Sequence, residues 1–98
     1  RNMLHSKEIR REWPFNLRVN EPIQTMVQGV IDLCYVEEDE WVLIDFKTDY
    51  VTSEQELWQR YRLQLSFYRQ ALESATGRRV KKCGLYSLRL GKFITGEM

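Results

Sequence analysis

Hydrophobic and polar residues alternate along much of the first half of this chain. Between Arg11 and Val19, Trp13, Phe15, Leu17 and Val19 occupy every second position, the period of a strand. Pro14 has no amide hydrogen to give a neighbouring strand, so this segment belongs at a sheet edge or strand start. Asn20-Glu21-Pro22 reads as a turn. Thr25 to Val36 is a second strand, with Val27, Gly29, Ile31, Leu33 and Tyr35 on one face and Met26, Gln28, Val30, Asp32 and Cys34 on the other. Gly29 in its interior costs stability and marks a close backbone approach. Trp41 to Thr48 is a third strand. Val42, Ile44 and Phe46 form its more uniformly apolar face, and Trp41, Leu43, Asp45 and Lys47 the other.

At Ser53 the period changes. Ser53 and Glu56 have the spacing of a capping box, and Leu57, Tyr61, Leu65, Tyr68 and Leu72 follow as a helical stripe. The helix runs to about Thr76, where Gly77 stops it. Val80 to Leu90 reads as a fourth strand, Gly91-Lys92 as a turn, and Phe93-Ile94 as the start of a short fifth. Residues 1–9 are polar and mixed and read as the tail of a truncated N-terminal helix. The order β-β-β-α-β predicts an α/β fold, a mixed sheet with a flanking helix. The 98 residues suffice for one small domain, expected to be part of something larger.

Composition narrows this little. The chain is 43% hydrophobic, ordinary for a globular domain, and its net charge of +1 does not by itself call for nucleic acid. Cys34 and Cys83 lack CxxC spacing and read as buried reduced thiols in a cytoplasmic protein. Two cysteines also exclude a four-cysteine iron–sulfur site within this chain. No stretch has the length and apolarity of a membrane span or the pattern of a signal peptide.

The candidate chemistry lies in the second and third strands. If they pair about the acidic loop Glu37-Glu38-Asp39-Glu40, Val36 faces Trp41 and Asp32 faces Asp45. A two-residue turn at Glu38-Asp39 gives that register. Two carboxylates about 5 Å apart at an effective dielectric near 20 repel by roughly 3 kcal/mol. A divalent cation between them removes that cost, and oxygen ligands suit Mg²⁺ or Mn²⁺. Lys47, two residues beyond Asp45, points to the same face. Two carboxylates, a metal and a lysine on one surface suit phosphodiester hydrolysis.

The segments Gly29-Val30-Ile31-Asp32, Ile44-Asp45-Phe46-Lys47-Thr48 and Gln64-x-x-x-Tyr68 together resemble the RecB-like branch of the PD-(D/E)XK nucleases. Within it they are similar to the nuclease domains of AddA-type helicase–nucleases of bacterial double-strand break repair. Arg11 to Leu17 and Val80 to Gly91 are similar to flanking segments there. The resemblance implies a restriction-endonuclease-like fold and metal-dependent cleavage of DNA, beside a helicase domain and a second nuclease/helicase-like subunit. It implies Mg²⁺ or Mn²⁺ held by Asp32, Asp45 and the Phe46 carbonyl, with Lys47 orienting or deprotonating the attacking water and stabilising phosphate charge. It puts Gln64 and Tyr68 on the helix near DNA or the rest of the site, and Glu12 as a more distant acid. The upstream helical histidine of such nucleases has no counterpart, since His5 is too near the strands and reads as a solvated terminal residue.

Two rival readings fit the same segments. One is a free-standing RecB/Cas4-like exonuclease. The other is a non-catalytic DNA-binding or subunit-docking module with a nuclease fold; loss of an acid or of the lysine would mark it, and all three residues are present. Arg60, Arg62, Arg69, Lys81 and Lys82 read mainly as solvated charge, and Trp13, Trp41 and Trp58 as packing residues.

Overall fold

The acidic loop closes as the two-residue turn expected of it. Glu38 and Asp39 have φ of 54° and 67°, and Glu37 pairs with Glu40 across them. Left-handed φ at both central positions matches the twist of a hairpin, although neither residue adopts it as readily as glycine. Asp39→Gly is therefore expected to stabilise the chain by about 1 kcal/mol in a urea melt. An unchanged midpoint would mean that Asp39 gains an offsetting local interaction.

The computed structural model describes residues 8–20 and 22–96. The expected N-terminal helix tail and His5 fall at or before residue 9, largely outside these residues. Of the tail, Ile9 already belongs to a strand. Five strands, β1 (Ile9–Val19), β2 (Thr25–Glu37), β3 (Glu40–Lys47), β4 (Val80–Ser87) and β5 (Lys92–Ile94), and one helix, α1 (Glu54–Thr76), follow the expected order. The sheet order is β1-β2-β3-β4-β5. Among the described strands only β3 and β4 are parallel, joined by the crossover through α1. The sheet is thus mixed, and β1, with Pro14, is an edge strand. The fourth strand ends earlier than expected, because Ser87 Oγ accepts the Leu90 N–H and starts a turn to Gly91.

The Ser53 cap and the Gly77 stop form as expected, while Glu56 reaches one residue further back than a capping box requires. Ser53 Oγ accepts the Glu56 N–H at 3.1 Å, and Glu56 in turn accepts from the backbone and hydroxyl of Thr52. Gly77, at φ 69°, donates its N–H to Glu73 O. Between these caps Leu57, Leu65, Tyr68 and Leu72 are buried with Trp41, Leu43, Ile31, Cys34 and Leu85 of the sheet. Trp41 donates its indole N–H to Thr76 Oγ1 at 3.0 Å, which ties β3 to the end of α1.

Two expectations about faces are corrected. The helix covers the Trp41–Leu43–Asp45–Lys47 face of β3, and Phe46, on the supposedly more apolar face, is 43% exposed. Strict alternation along β2 also fails. Gly29 lies against Tyr68 of α1, while Cys34 pairs with Leu43 on the same side, so the alternation reverses between them. Across from that reversal, Glu12 of β1 takes φ 51°, and the β1–β2 ladder skips it. The irregularity turns both Ile31 and Asp32 towards the helix side. Gly29 sits there with little room to spare, and the close approach comes from side-chain rings: a Cβ would stand 3.0 Å from the Phe15 ring and 3.2 Å from that of Tyr68, so the rings would have to give by a few tenths of an ångström.

Candidate active site

The β2–β3 ladder is in the expected register as far as Leu33 and Ile44, one position short of the two acids. There the pairing changes character. Asp32 Oδ2 accepts the Phe46 N–H at 2.9 Å, so the carboxylate takes the place of a backbone partner. Asp32 is thereby fixed beside the end of β3. Asparagine can supply the same acceptor without the charge. At pH 7 without metal, Asp32→Asn, which keeps the acceptor and relieves the repulsion with Asp45, is therefore expected to melt at or above the wild type, and Asp32→Ala about 1 kcal/mol below the asparagine variant. Equal stability of the two variants would show that the Phe46 bond contributes little.

Asp45 is only 2% exposed. Burial pushes its carboxyl up to about 6; the Lys47 ammonium opposes this shift and the Asp32 carboxyl adds to it. Lys47 Nζ stands 3.0 Å from Asp45 Oδ2 as an ion pair. Apart from this ion pair, Oδ2 is buried with no further hydrogen-bond partner among the described residues. Native structures rarely leave such an atom unsatisfied. A buried, unsatisfied carboxylate oxygen beside a second carboxylate fits a hard, oxygen-liganded cation. Among the described residues no group of three His, Cys, Asp or Glu gathers to hold a metal. The donor set thus suits an ion that keeps several waters or phosphate oxygens, as Mg²⁺ does.

Lys47 is held from the other side by a residue whose place in the helical stripe marks it only for packing. Its Nζ lies 4.0 Å from the centre of the Tyr61 ring. The Tyr61 hydroxyl donates to Asp49 Oδ2 at 2.6 Å, and Arg60 donates to the same oxygen at 2.9 Å. These two bonds hold the Asp49 carboxyl below the usual range, Tyr61 contributing most.

Tyr68 is buried on α1, with its ring edge-on to Phe15 at 5.2 Å. Burial raises its pKa, and the charges of Asp45 and Asp32 raise it further, so its hydroxyl stays protonated within electrostatic reach of both acids. Gln64, one turn earlier, has its side-chain carbonyl buried and unpartnered. Glu12 is exposed, and although the β1–β2 register sets it opposite Asp32 it joins no cluster of three acids among the described residues. A concavity of about 680 Å³ runs along Phe15, Gly29 and Ala71, and neither Asp32 nor Asp45 lines it. The acids belong to the sheet face under the middle of α1, within electrostatic reach of Tyr61 and Tyr68.

The other charges are mostly engaged. Arg60 bonds Asp49 and Glu56, and Lys81 bridges Glu37 and Glu38 of the acidic turn. Trp41 and Trp58 are buried packing residues, as expected. Cys34 is buried and Cys83 half-buried; both are free, and burial raises their thiols to about 11 and about 12. No described helix is long and apolar enough to cross a membrane.

The sequence profile of the PD-(D/E)XK nuclease superfamily matches residues 2–96, nearly the whole chain. The chain belongs to that superfamily. Its mixed sheet, with one crossover helix over the acidic pair, is consistent with the restriction-endonuclease-like architecture of these nucleases. The A-type subunit of the ATP-dependent helicase/nuclease of Thermoanaerobacter sp. (strain X514) is 42% identical over 100 residues, covering 86% of this chain and 8% of that protein. The corresponding helicase/nuclease protein of Clostridium botulinum (strain Okra) is 34% identical over 109 residues, covering 96% of this chain and 8% of its own length. That of Ruminiclostridium cellulolyticum is 36% identical over 109 residues, covering 96% and 9%. The chain therefore spans less than a tenth of the relatives it matches.

Proposed function

We propose that this PD-(D/E)XK domain cleaves DNA with a bound divalent cation, as the nuclease domain of a helicase–nuclease acting in double-strand break repair. The observation that carries the reading is the Asp45 carboxylate oxygen, buried and unsatisfied beside Asp32 and Lys47. Asp32, Asp45 and the Phe46 carbonyl would hold Mg²⁺, or Mn²⁺ in its place. When bound, such an ion polarises a phosphoryl oxygen and lowers the pKa of a water. The residues of the chain do the rest. Lys47 brings a fixed positive charge to a phosphate whose negative charge grows during attack, and it orients the incoming water. Asp32, stitched to the Phe46 N–H, keeps β2 and β3 in register at the reacting end. Tyr68 and Gln64 present a protonated hydroxyl and an unused carbonyl from the helix side, suited to contacting the strand or the waters around it.

In this reading the chain is one domain beside a helicase motor and a second protein partner, in the cytoplasm, with DNA as substrate; relatives named as helicase/nuclease subunits, of which it covers 8–9%, support that reading.

The test is a titration with Mg²⁺ and Mn²⁺ followed by amide NMR, with Asp45→Ala as control. Shifts centred on Asp32, Asp45 and Phe46, absent from the variant, are expected. Metal-dependent cutting of a labelled oligonucleotide should accompany them. A wild type with neither shifts nor cutting would overturn the reading and favour a docking module.

A further inference from the structure

Immediately beyond Lys47 the chain carries a feature the chemistry above does not use. β3 ends at Lys47, and its carbonyl accepts the Leu88 N–H at 2.9 Å, which draws the turn after β4 against Thr48. That turn is rigidly specified. Ser87 is fully buried, its hydroxyl accepts the Leu90 N–H, and its carbonyl accepts from Gly91 at φ 66°. The turn projects Arg89, whose Nε donates to Thr48 O at 3.1 Å. The Arg89 guanidinium then lies 3.6 Å from the centre of the Tyr50 ring, at stacking distance.

Tyr50 is nevertheless 78% exposed, so one face is covered by Arg89 and the remainder is open to solvent. An aromatic ring backed by one arginine that is itself anchored to Thr48, with a face left bare, has the properties of a platform for another flat ring. The ring's position selects the ligand. It lies three residues from Lys47, and the acids nearest it in sequence are each engaged: Asp49 by Arg60 and Tyr61, Glu54 by Lys92, Asp45 by Lys47. Arg89 makes no ion pair among the described residues and can meet a phosphate with its remaining donors. A flat ring joined to a phosphate is a nucleotide. A base inside a duplex is already stacked on both sides, so only an unpaired base can use this face.

We propose that Tyr50, backed by Arg89, is a stacking platform for an unpaired base of a DNA strand running past Lys47. The proposal rests on the nuclease reading and adds to it a binding position outside the acids, the lysine and the helix residues.

The experiment is fluorescence anisotropy with the 98-residue chain in EDTA, where cutting does not intervene. The probes are a labelled oligothymidylate and a base-free sugar–phosphate oligomer of equal length. The wild type should bind the oligothymidylate more tightly. Tyr50→Ala should weaken that binding roughly 5-fold or more and leave the base-free oligomer unaffected. Tyr50→Phe, which keeps the ring, should bind as the wild type does. Arg89→Ala should weaken both probes and flatten the salt dependence by about one phosphate contact.

Equal oligothymidylate affinity of the wild type and Tyr50→Ala overturns the platform. So does a wild type that binds neither probe, or that binds the base-free oligomer equally well. Because the readout is binding without metal, the two readings fail separately. A wild type that binds through Tyr50 but never cuts with Mg²⁺ sinks the nuclease reading alone. One that cuts while Tyr50→Ala binds unchanged sinks the platform alone.

Discussion

Lys47→Met is expected to lower the single-turnover rate of DNA cleavage about 10²- to 10³-fold at saturating metal, the usual loss when a preorganised charge at a phosphate is removed. The ammonium is held between two groups, the Asp45 carboxylate at 3.0 Å and the Tyr61 ring at 4.0 Å. It therefore needs little rearrangement to meet charge developing on the substrate. Methionine keeps much of the stem's volume and removes only the charge. The metal-induced amide shifts should persist, because the acids remain. The variant should also be less stable than the wild type without metal at pH 7, since Asp45 loses the group that offsets its burial. At pH 4, where Asp45 is protonated, that difference should vanish. Wild-type cleavage by Lys47→Met would remove the lysine from the mechanism.

Asp45→Asn should do the opposite to stability. A carboxyl raised from 3.8 to about 6 by burial is protonated in both folded and unfolded states below about pH 3.8. The neutral form is then fully tolerated. As pH rises towards 6 the unfolded chain ionises freely while the folded one resists, so stability is lost across that window and stays low above it. The full loss is at most roughly 3 kcal/mol. Asparagine has no such term, but it leaves Lys47 without its ion partner, so a gain of about 1–2 kcal/mol at pH 7 is expected. The gain should disappear near pH 4. Comparing the two proteins cancels the opposite pH dependence of Asp49 and Glu56, whose pKa values are lowered. Added Mg²⁺ should raise the wild-type midpoint and leave that of Asp45→Asn in place. An asparagine variant less stable than the wild type at pH 7 without metal would contradict the buried-charge account.

The parts of this fold that the sequence revealed are those set by short-range rules. The hairpin register followed from counting outwards from Glu38-Asp39, and the pairing of Val36 with Trp41 is where that count put it. Both helix caps were visible because Ser53, Glu56 and Gly77 act on their immediate neighbours. The reversal of faces in β2 was hidden, because alternation assumes an unbroken ladder and the irregularity at Glu12 and Asp32 involves two strands at once. The choice of sheet face was hidden for a related reason. The helix covers the face carrying Asp45 and Lys47, so burial there is shared between apolar packing and charge, which a count of apolar residues cannot anticipate. Tyr61 and Asp49 read as stripe and linker because nothing in their own neighbourhood reports a bond between them. Arg89 and Thr48 meet across 41 positions of sequence, beyond the reach of any local pattern.

The turn at Glu38-Asp39 has a consequence for how the chain comes together. Asp32, Asp45 and Lys47 all belong to the hairpin it closes, whereas the β3–β4 pairing must wait for the 23-residue helix to cross over. Local pairings of this kind form early, and crossovers late. The repulsion between the two acids therefore falls on the ascending side of the folding barrier. A divalent cation should accordingly quicken folding, where a ligand held by the finished structure alone would only slow unfolding.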